Sequence, residues 1–427
     1  MIVESGAMNP SRKRKPPLYL MAWPASVGGS ETKTGATAEL LAGLYDIVWV
    51  PNEDASLSDR KALKWITSRG MRAARWADLP RKLAGTALAM CNIPFLTEGR
   101  AAEAKGRGLR VAWGGEMMWA IPGELGAIAA GLVDTVLFTG DGQREALTPA
   151  FLTALGGKSG RAERVVAAHP AHGGTQGTLR GKCGAVRWAT VGNYVNPEAF
   201  PFIDRSRRRK GAPLVIGRLS RADWGKFPAD FPKSYERLGL SKDTRFRVMA
   251  WSPELKKRWP RWRPSKQWEL LPAMAEPPAK FLQSLDLFVY DTHPTFSESW
   301  GRAVVEAMLT GAVPVLPADT RHHFVRLAPH ILTSVHCPAP RHWREQVQLL
   351  AERRDIRHFM SKFAATFARE ELCDAAMHRA SWQAALSGRQ SPGRYAVRQP
   401  TVRRTLAQRA WSAVWTVRMW SGLSTAL

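Results

Sequence analysis

Two carboxylates, Glu298 and Glu306, stand eight residues apart in the stretch FLQSLDLFVYDTHPTFSESWGRAVVEAMLTGAVPVLP, Phe281–Pro317. The stretch reads helix, strand, loop, helix, strand. Eight residues on one helix is just over two turns, so both acids can face one side, with Glu298 in the loop before the first turn. The helix N-terminus that follows offers free backbone N–H groups and a positive dipole end, a natural seat for a diphosphate. Ser299, Trp300 and Gly301 flank that seat, and the glycine lets a bulky ligand approach the backbone. A carboxylate one or two turns along, Glu306, can accept hydrogen bonds from the vicinal hydroxyls of a ribose.

Cations stand in a second loop. Gly217-Arg218-Leu-Ser-Arg221-Ala-Asp-Trp-Gly-Lys226 follows a strand. Two cations beside a diphosphate also stabilise the departing nucleotide. Arg218 and Lys226 are the candidates, with Arg221 as the alternative to Lys226. Near the N-terminus, Gly28 and Gly29 follow the first strand and open a helix, so backbone N–H groups can meet an anion there. Glu116, in Trp113-Gly-Gly-Glu116, either touches an acceptor or sugar, or serves as a capping or solvated residue. His322-His323 are adjacent and would point apart on a helix, which makes a poor metal site. His169 and His172 read as surface residues.

These residues need a scaffold that brings strand ends together. Apolar runs of strand length occur at Leu18–Ala22, Ile47–Val50, Ala87–Cys91, Leu109–Trp113, Thr135–Phe138 and Val186–Val191. They are near-continuous, the pattern of strands buried on both faces of a parallel sheet. Helical stretches lie between them, Glu31–Leu44 and Asp141–Leu155 among them. The second half repeats the rhythm with strands at Leu214–Ile216, Phe246–Ala250, Leu287–Tyr290, Val313–Leu316 and Ile331–Thr333. Its helices are expected at Ala279–Leu285, Gly301–Leu309, His342–Ala351 and, in one long run, Ile356 to about Leu386. The class is α/β, doubly wound, and ligands of such sheets bind at the carboxyl ends of the strands.

The stretch Phe281–Pro317 resembles the E-x7-E signature of retaining GT-B glycosyltransferases, the group-1 or family 4 type. The framing matches too: DLFVY before, ESWG and VVEAML within, TGAVPVL after. Gly217–Lys226 is similar to that group's loop whose Arg and Lys neutralise the donor diphosphate, with Lys226 farther from Arg218 than usual. Val27–Thr32 is similar to its glycine-rich first loop, and Asn193–Phe200 resembles the segment that ends its first domain. The resemblance implies a GT-B architecture, two Rossmann-like domains facing a central cleft. It implies that Glu298 contacts the transferred sugar, Glu306 holds the ribose, and no side-chain nucleophile is used. The co-substrate would be a nucleotide sugar, with no other cofactor and no metal. The acceptor would be a glycan, lipid-linked or other hydroxyl. Many relatives carry a His near Glu116; none stands here.

The expected domains are 17–196, on the acceptor side, and 213–387, binding the nucleotide sugar. A linker rich in breakers, 197–212, joins them. Trp268–Leu271 is the candidate wall for the base. A basic arm, 1–16, and a basic tail, 388–427, complete the chain. With 62 Lys and Arg against 36 Asp and Glu, the net charge is +26, which invites anions. No helix-turn-helix, zinc-finger or RRM pattern supports nucleic acid as the partner. The tail's Trp411, Val414, Trp415, Met419 and Leu423 share a helical face. That face suits either an anionic membrane surface or packing on the protein itself. Four scattered cysteines and no signal-peptide core point to a reduced, cytoplasmic setting, peripheral on the inner leaflet if the tail binds membrane. A sugar-nucleotide epimerase, a nucleic-acid binder and a non-catalytic scaffold are the competing functions.

Overall fold

The computed structural model describes residues 15–22, 29–51, 57–157, 163–166, 173–209, 211–293, 295–296, 298–317, 336–337 and 342–387. Gly28, the four histidines singled out above, the strand expected at Ile331–Thr333, the arm before Lys15 and the basic tail lie outside them.

The first sheet is built from β1 (Pro17–Met21), β2 (Asp46–Trp49), β3 (Arg72–Ala73), β4 (Thr86–Met90), β5 (Arg110–Gly114), β6 (Thr135–Phe138), β7 (Glu163–Val166), β8 (Gly173–Gly181) and β9 (Gly184–Val191). Their order is β3-β2-β1-β4-β5-β6-β9-β8-β7. The six strands from β1 to β6 run parallel, and β9 joins β6 in parallel. β4, TALAM, and β6, TVLF, are buried at every position, as their unbroken apolar runs require. One face carries Val111, Trp113, Phe138 and Phe151; the other carries Leu18, Leu20, Leu88 and Leu137.

The far edge departs from the parallel expectation. β8 runs antiparallel to both β7 and β9. Its sequence, GGTQGTLRG, has almost no apolar residues and so gave no strand signal. The tight turn from Gly181 to Gly184 closes a hairpin, and Gly184, at φ 142°, takes a conformation that a side chain would oppose.

The second sheet runs β12-β11-β10-β13-β14-β15, all parallel. Its strands are β10 (Val215–Leu219), β11 (Arg245–Met249), β12 (Trp268–Leu271), β13 (Leu287–Val289), β14 (Val313–Pro317) and β15 (His336–Cys337). The expected base wall is therefore the edge strand β12. Trp268 stacks there on Phe246 at 4.8 Å between ring centres. The helix Arg302–Thr310 starts after Gly301 and stops at Gly311, both with positive φ, 81° and 85°. Val304, Val305, Met308 and Leu309 bury its apolar side.

The long helix expected from Ile356 is broken. Arg354–Phe367 passes into a π-helical turn, Ala368–Leu372, and a new helix runs from Ala375 to Ser387. Asp374 makes the break, because its carboxylate accepts from Ala376 N at 2.8 Å and Met377 N at 3.1 Å, capping the new helix. That last helix leaves the second sheet. Trp382, Ala385 and Leu386 pack with Leu18, Leu20 and Leu41 on the first. The expected 213–387 domain thus loses its final helix to the first domain. The chain crosses twice, and the crossings touch: Arg369 donates to Glu198 at 3.0 Å, and the Tyr194 and His378 rings meet at 5.4 Å. Among the described residues no helix is long and apolar enough to cross a membrane.

Candidate functional site

The chemistry-bearing loops all leave the carboxyl ends of parallel strands. β10 leads to Lys226, β13 to Glu298, β5 to Glu116, and β6 to Thr139. Parallel topology therefore gathers residues far apart in sequence at one edge of each sheet.

At the second sheet the core is a trio. Tyr290 OH donates to Glu298 Oε2 at 2.7 Å, Lys226 Nζ pairs with the same oxygen, and Lys226 Nζ lies 3.3 Å from Tyr290 OH. Lys226 is 9% exposed in its side chain and Glu298 13%. Burial pushes the Lys226 ammonium down, and Glu298 pulls it back up. Burial, reinforced by Glu298, holds Tyr290 well above its ordinary value, so the phenol keeps its proton and donates. The ammonium also sits 4.3 Å from the Phe296 ring centre.

Arg218 is not placed as expected. It lies inside β10 rather than in the loop after it, and it is fully buried. Its guanidinium donates to Asp291 O at 2.9 Å and to Lys226 O, and packs 4.3 Å from the Phe227 ring centre. The long spacing to Lys226 lets the loop fold back over it. In this position Arg218 clamps the loop of Lys226 to the loop after β13. His293 N donates to Gly225 O at 3.0 Å and knits the same loops above. The Asp223 carboxylate accepts from Gly225 N at 2.9 Å and starts the turn that carries Lys226. Gly225 is required: a Cβ there would meet the Phe296 ring at 2.9 Å.

Glu306 is buried one turn into the helix after Gly301. Arg302 Nε donates to Glu306 Oε1 at 2.7 Å, and Arg302 Nη1 donates to Tyr194 O at 2.9 Å. Burial raises the Glu306 carboxyl, while Arg302 opposes the rise. Trp300 is 1% exposed and its side chain belongs to the second core. Ser299 stays partly exposed and its carbonyl faces the first domain.

Across from it, Thr139 Oγ1 donates to Ser299 O at 3.4 Å. Gln143 Oε1 accepts from Thr139 N at 2.7 Å, and Gln143 Nε2 donates to Gly115 O and Met117 O at 2.6 and 2.7 Å. One buried amide thus ties the Glu116 loop to the point where the two domains meet. Lys33 Nζ pairs with Glu116 Oε1 at 2.7 Å, and both are largely buried. Glu116 is thus a largely buried, ion-paired carboxylate rather than a solvated surface acid. Lys33 stands in the helix Gly29–Leu41, which begins at the second of the two glycines. Beneath the loop, Trp113 Nε1 donates to Glu124 Oε1 at 2.5 Å.

The sequence pointed to Glu298, Glu306, Lys226 and Glu116; the structure adds Lys33, Tyr290, Arg302, Thr139 and Gln143 as their neighbours. Only Tyr290 carried a signal, as the last residue of its apolar run. The others are defined by partners that no spacing reveals. Among the described residues no group of three His, Cys, Asp or Glu is placed to hold a metal ion.

No protein-family profile and no curated protein matches the chain. Solved structures do. The crystal structure of Anabaena HepE in complex with UDP-glucose superposes with a TM-score of 0.61 at 12% identity, covering 87% of this chain and 100% of that one. The α,α-trehalose 6-phosphate synthase of Burkholderia multivorans gives 0.55 at 12%, covering 88% and 98%. A glycosyltransferase from Rickettsia africae gives 0.55 at 10%, covering 89% and 100%. At these identities the likeness establishes the fold, a GT-B arrangement of two Rossmann-like domains.

Proposed function

We propose that the protein is a glycosyltransferase that takes its sugar from a nucleotide-activated donor. The observation that carries this is the Lys226–Glu298–Tyr290 trio at the carboxyl edge of a parallel sheet, in a fold shared with a structure solved with UDP-glucose. The donor diphosphate takes the Lys226 ammonium, with the N–H groups opening the helix Arg302–Thr310 beside it. Glu298, released from part of that pair and still held by Tyr290, accepts hydroxyls of the transferred sugar. Glu306 accepts ribose hydroxyls through the oxygen that Arg302 does not hold. Arg218 acts as a positioning residue. The acceptor hydroxyl approaches from the first domain, beside Lys33 and Glu116.

In the transfer, the bond between the sugar's anomeric carbon and the phosphate oxygen breaks, and its electron pair leaves with the phosphate. The acceptor oxygen bonds to that carbon on the same face, and its proton passes to the departing phosphate oxygen. Configuration is retained and neither a metal nor a side-chain nucleophile takes part. Lys226 stabilises the charge that grows on the leaving group, an effect of the kind worth about 3 kcal/mol in a water-poor site.

The test is transfer and donor hydrolysis over UDP-, GDP- and ADP-sugars, with the product anomer assigned by NMR. Lys226→Ala should lower kcat on the order of a hundredfold, and Glu306→Ala should raise KM for the donor. Equal activity in both variants, or an epimerised donor formed without acceptor, would overturn the reading.

A further inference from the structure

A second cationic cluster lies at the opposite edge of the second sheet. Val215 begins β10 and Asp286 immediately precedes β13, so both mark the amino ends of the strands. Here a cavity of about 210 Å³ is lined by Arg205, Arg208, Arg209, Arg354, Arg357 and His358. That is room for roughly seven waters, enough for a phosphate and part of its ester group.

One carboxylate, Asp286, lines the same cavity, and it is already engaged. It accepts from Arg208 and, at 2.8 Å, from Val215 N. The guanidinium groups of Arg205, Arg354 and Arg357 are fastened by backbone carbonyls, which hold them without cancelling their charge. Arg205 donates to Thr310 O at 2.9 Å and Gln283 O at 3.0 Å. Arg354 donates to Ser206 O at 3.2 Å and Arg357 to Ala351 O at 3.1 Å. A guanidinium has five donors; Arg205 gives four of them to carbonyls and is a fixed charge, whereas Arg354 and Arg357 keep donors for the cavity. The cavity also meets the first turn of the helix Arg354–Phe367, whose dipole adds positive potential. Burial pushes Arg205 down to about 10; Asp286 opposes the fall and Arg208 adds to it. Burial lowers His358 as well, and Arg354 and Arg357 deepen the shift. These side chains repel one another across a space that an anion fits.

We propose that this cavity binds a phosphate monoester dianion, the chemistry shared by phosphorylated small molecules and a phosphatidic acid headgroup. Planar guanidinium forks are suited to such bidentate recognition. Residues 205–209 belong to the segment between the two sheets, and residues 354–358 to a helix of the second domain. A bound dianion would therefore staple the crossing segment to that domain. The site is independent of the donor reading, because it sits at the other end of the strands from Lys226.

The test titrates the full chain with inorganic phosphate by ³¹P NMR at constant ionic strength. Saturable binding is expected in the parent and in Lys226→Ala. Arg209→Glu should weaken it at least tenfold, and Arg354→Gln several-fold. Arg209 is exposed, so a melting temperature in chloride equal to the parent's shows that its variant folds. Cosedimentation with vesicles of phosphatidic acid against phosphatidylserine of equal charge separates the sources. A preference for phosphatidic acid that Arg209→Glu abolishes identifies the headgroup; free phosphate binding without it identifies a soluble ester. Loss of phosphate binding in Lys226→Ala but not in Arg209→Glu, or no Arg209-dependent binding of either probe, overturns the proposal.

Discussion

The two ends of the second sheet treat positive charge in opposite ways. At the carboxyl end the two cations proposed to meet the donor each face an acid, Lys226 with Glu298 and Arg302 with Glu306, while Arg218 beneath them is held by carbonyls. At the amino end the arginines are held mostly by carbonyl oxygens and one carboxylate is shared. A closed ion pair fixes geometry but makes an incoming phosphate compete with the resident acid. A carbonyl-held guanidinium fixes geometry and leaves its charge on offer. The first arrangement suits a ligand that must bind, react and depart. The second suits an anion that stays.

The strongest way to break this contrast is to remove an acid from the paired end. Glu298→Ala strands a buried ammonium, so urea unfolding should show a loss of about 3 kcal/mol. Glu298→Ala with Lys226→Met should recover most of it. A loss under about 0.5 kcal/mol would mean that the pair is in effect solvated.

Next comes Arg302→Met, which leaves the Glu306 carboxylate without its cation and should cost about 2 kcal/mol near neutral pH. Its pH dependence sharpens the point. The Glu306 carboxyl is already held above its ordinary 4.5 by burial. The folded chain therefore keeps a proton that the unfolded chain gives up. Stability from this group is present below 4.5 and lost as pH rises through the folded value. Removing Arg302 lifts that value further, so the gap in melting temperature from the parent should widen between pH 4.5 and 7. A gap that stays constant would show that Arg302 acts only through Tyr194.

A smaller effect is expected where the domains meet. Thr139→Val removes the one hydroxyl proton that Ser299 O and Gln143 Oε1 share, costing about 1 kcal/mol. Acceptor KM should move more than donor KM, since the Glu116 loop hangs on the same amide. The smallest effect belongs to the amino end: Arg209→Ala should change stability in chloride by less than about 0.5 kcal/mol. A large loss there would place Arg209 among the structural arginines.

Much of the scaffold was legible because parallel strands buried on both faces must be apolar throughout. Thr135–Phe138 was read to the residue, and most other strands to within one or two. β8 was missed because glycine and threonine form its ladder through the backbone, which no hydropathy pattern records. The break at Asp374 was missed because a cap inside a long amphipathic run is indistinguishable from an exposed acid until the helix turns away. In the site, Glu298, Glu306 and Lys226 stood out by their framing. The burial of Arg218 was not legible, since its depth inside β10 depends on how the loop folds over it. Lys33 and Gln143 acquire meaning only from partners 83 and 28 residues distant.

The two touching crossings have a mechanical consequence. A single tether would let one domain swing and spin freely against the other. Two tethers side by side, joined by Arg369–Glu198 and Tyr194–His378, behave as the paired pins of a door. Rotation about the line through them stays easy, and torsion across it strains both pins. The alignment of the edge carrying Glu116 with the edge carrying Glu298 is therefore set at two points of the chain rather than one.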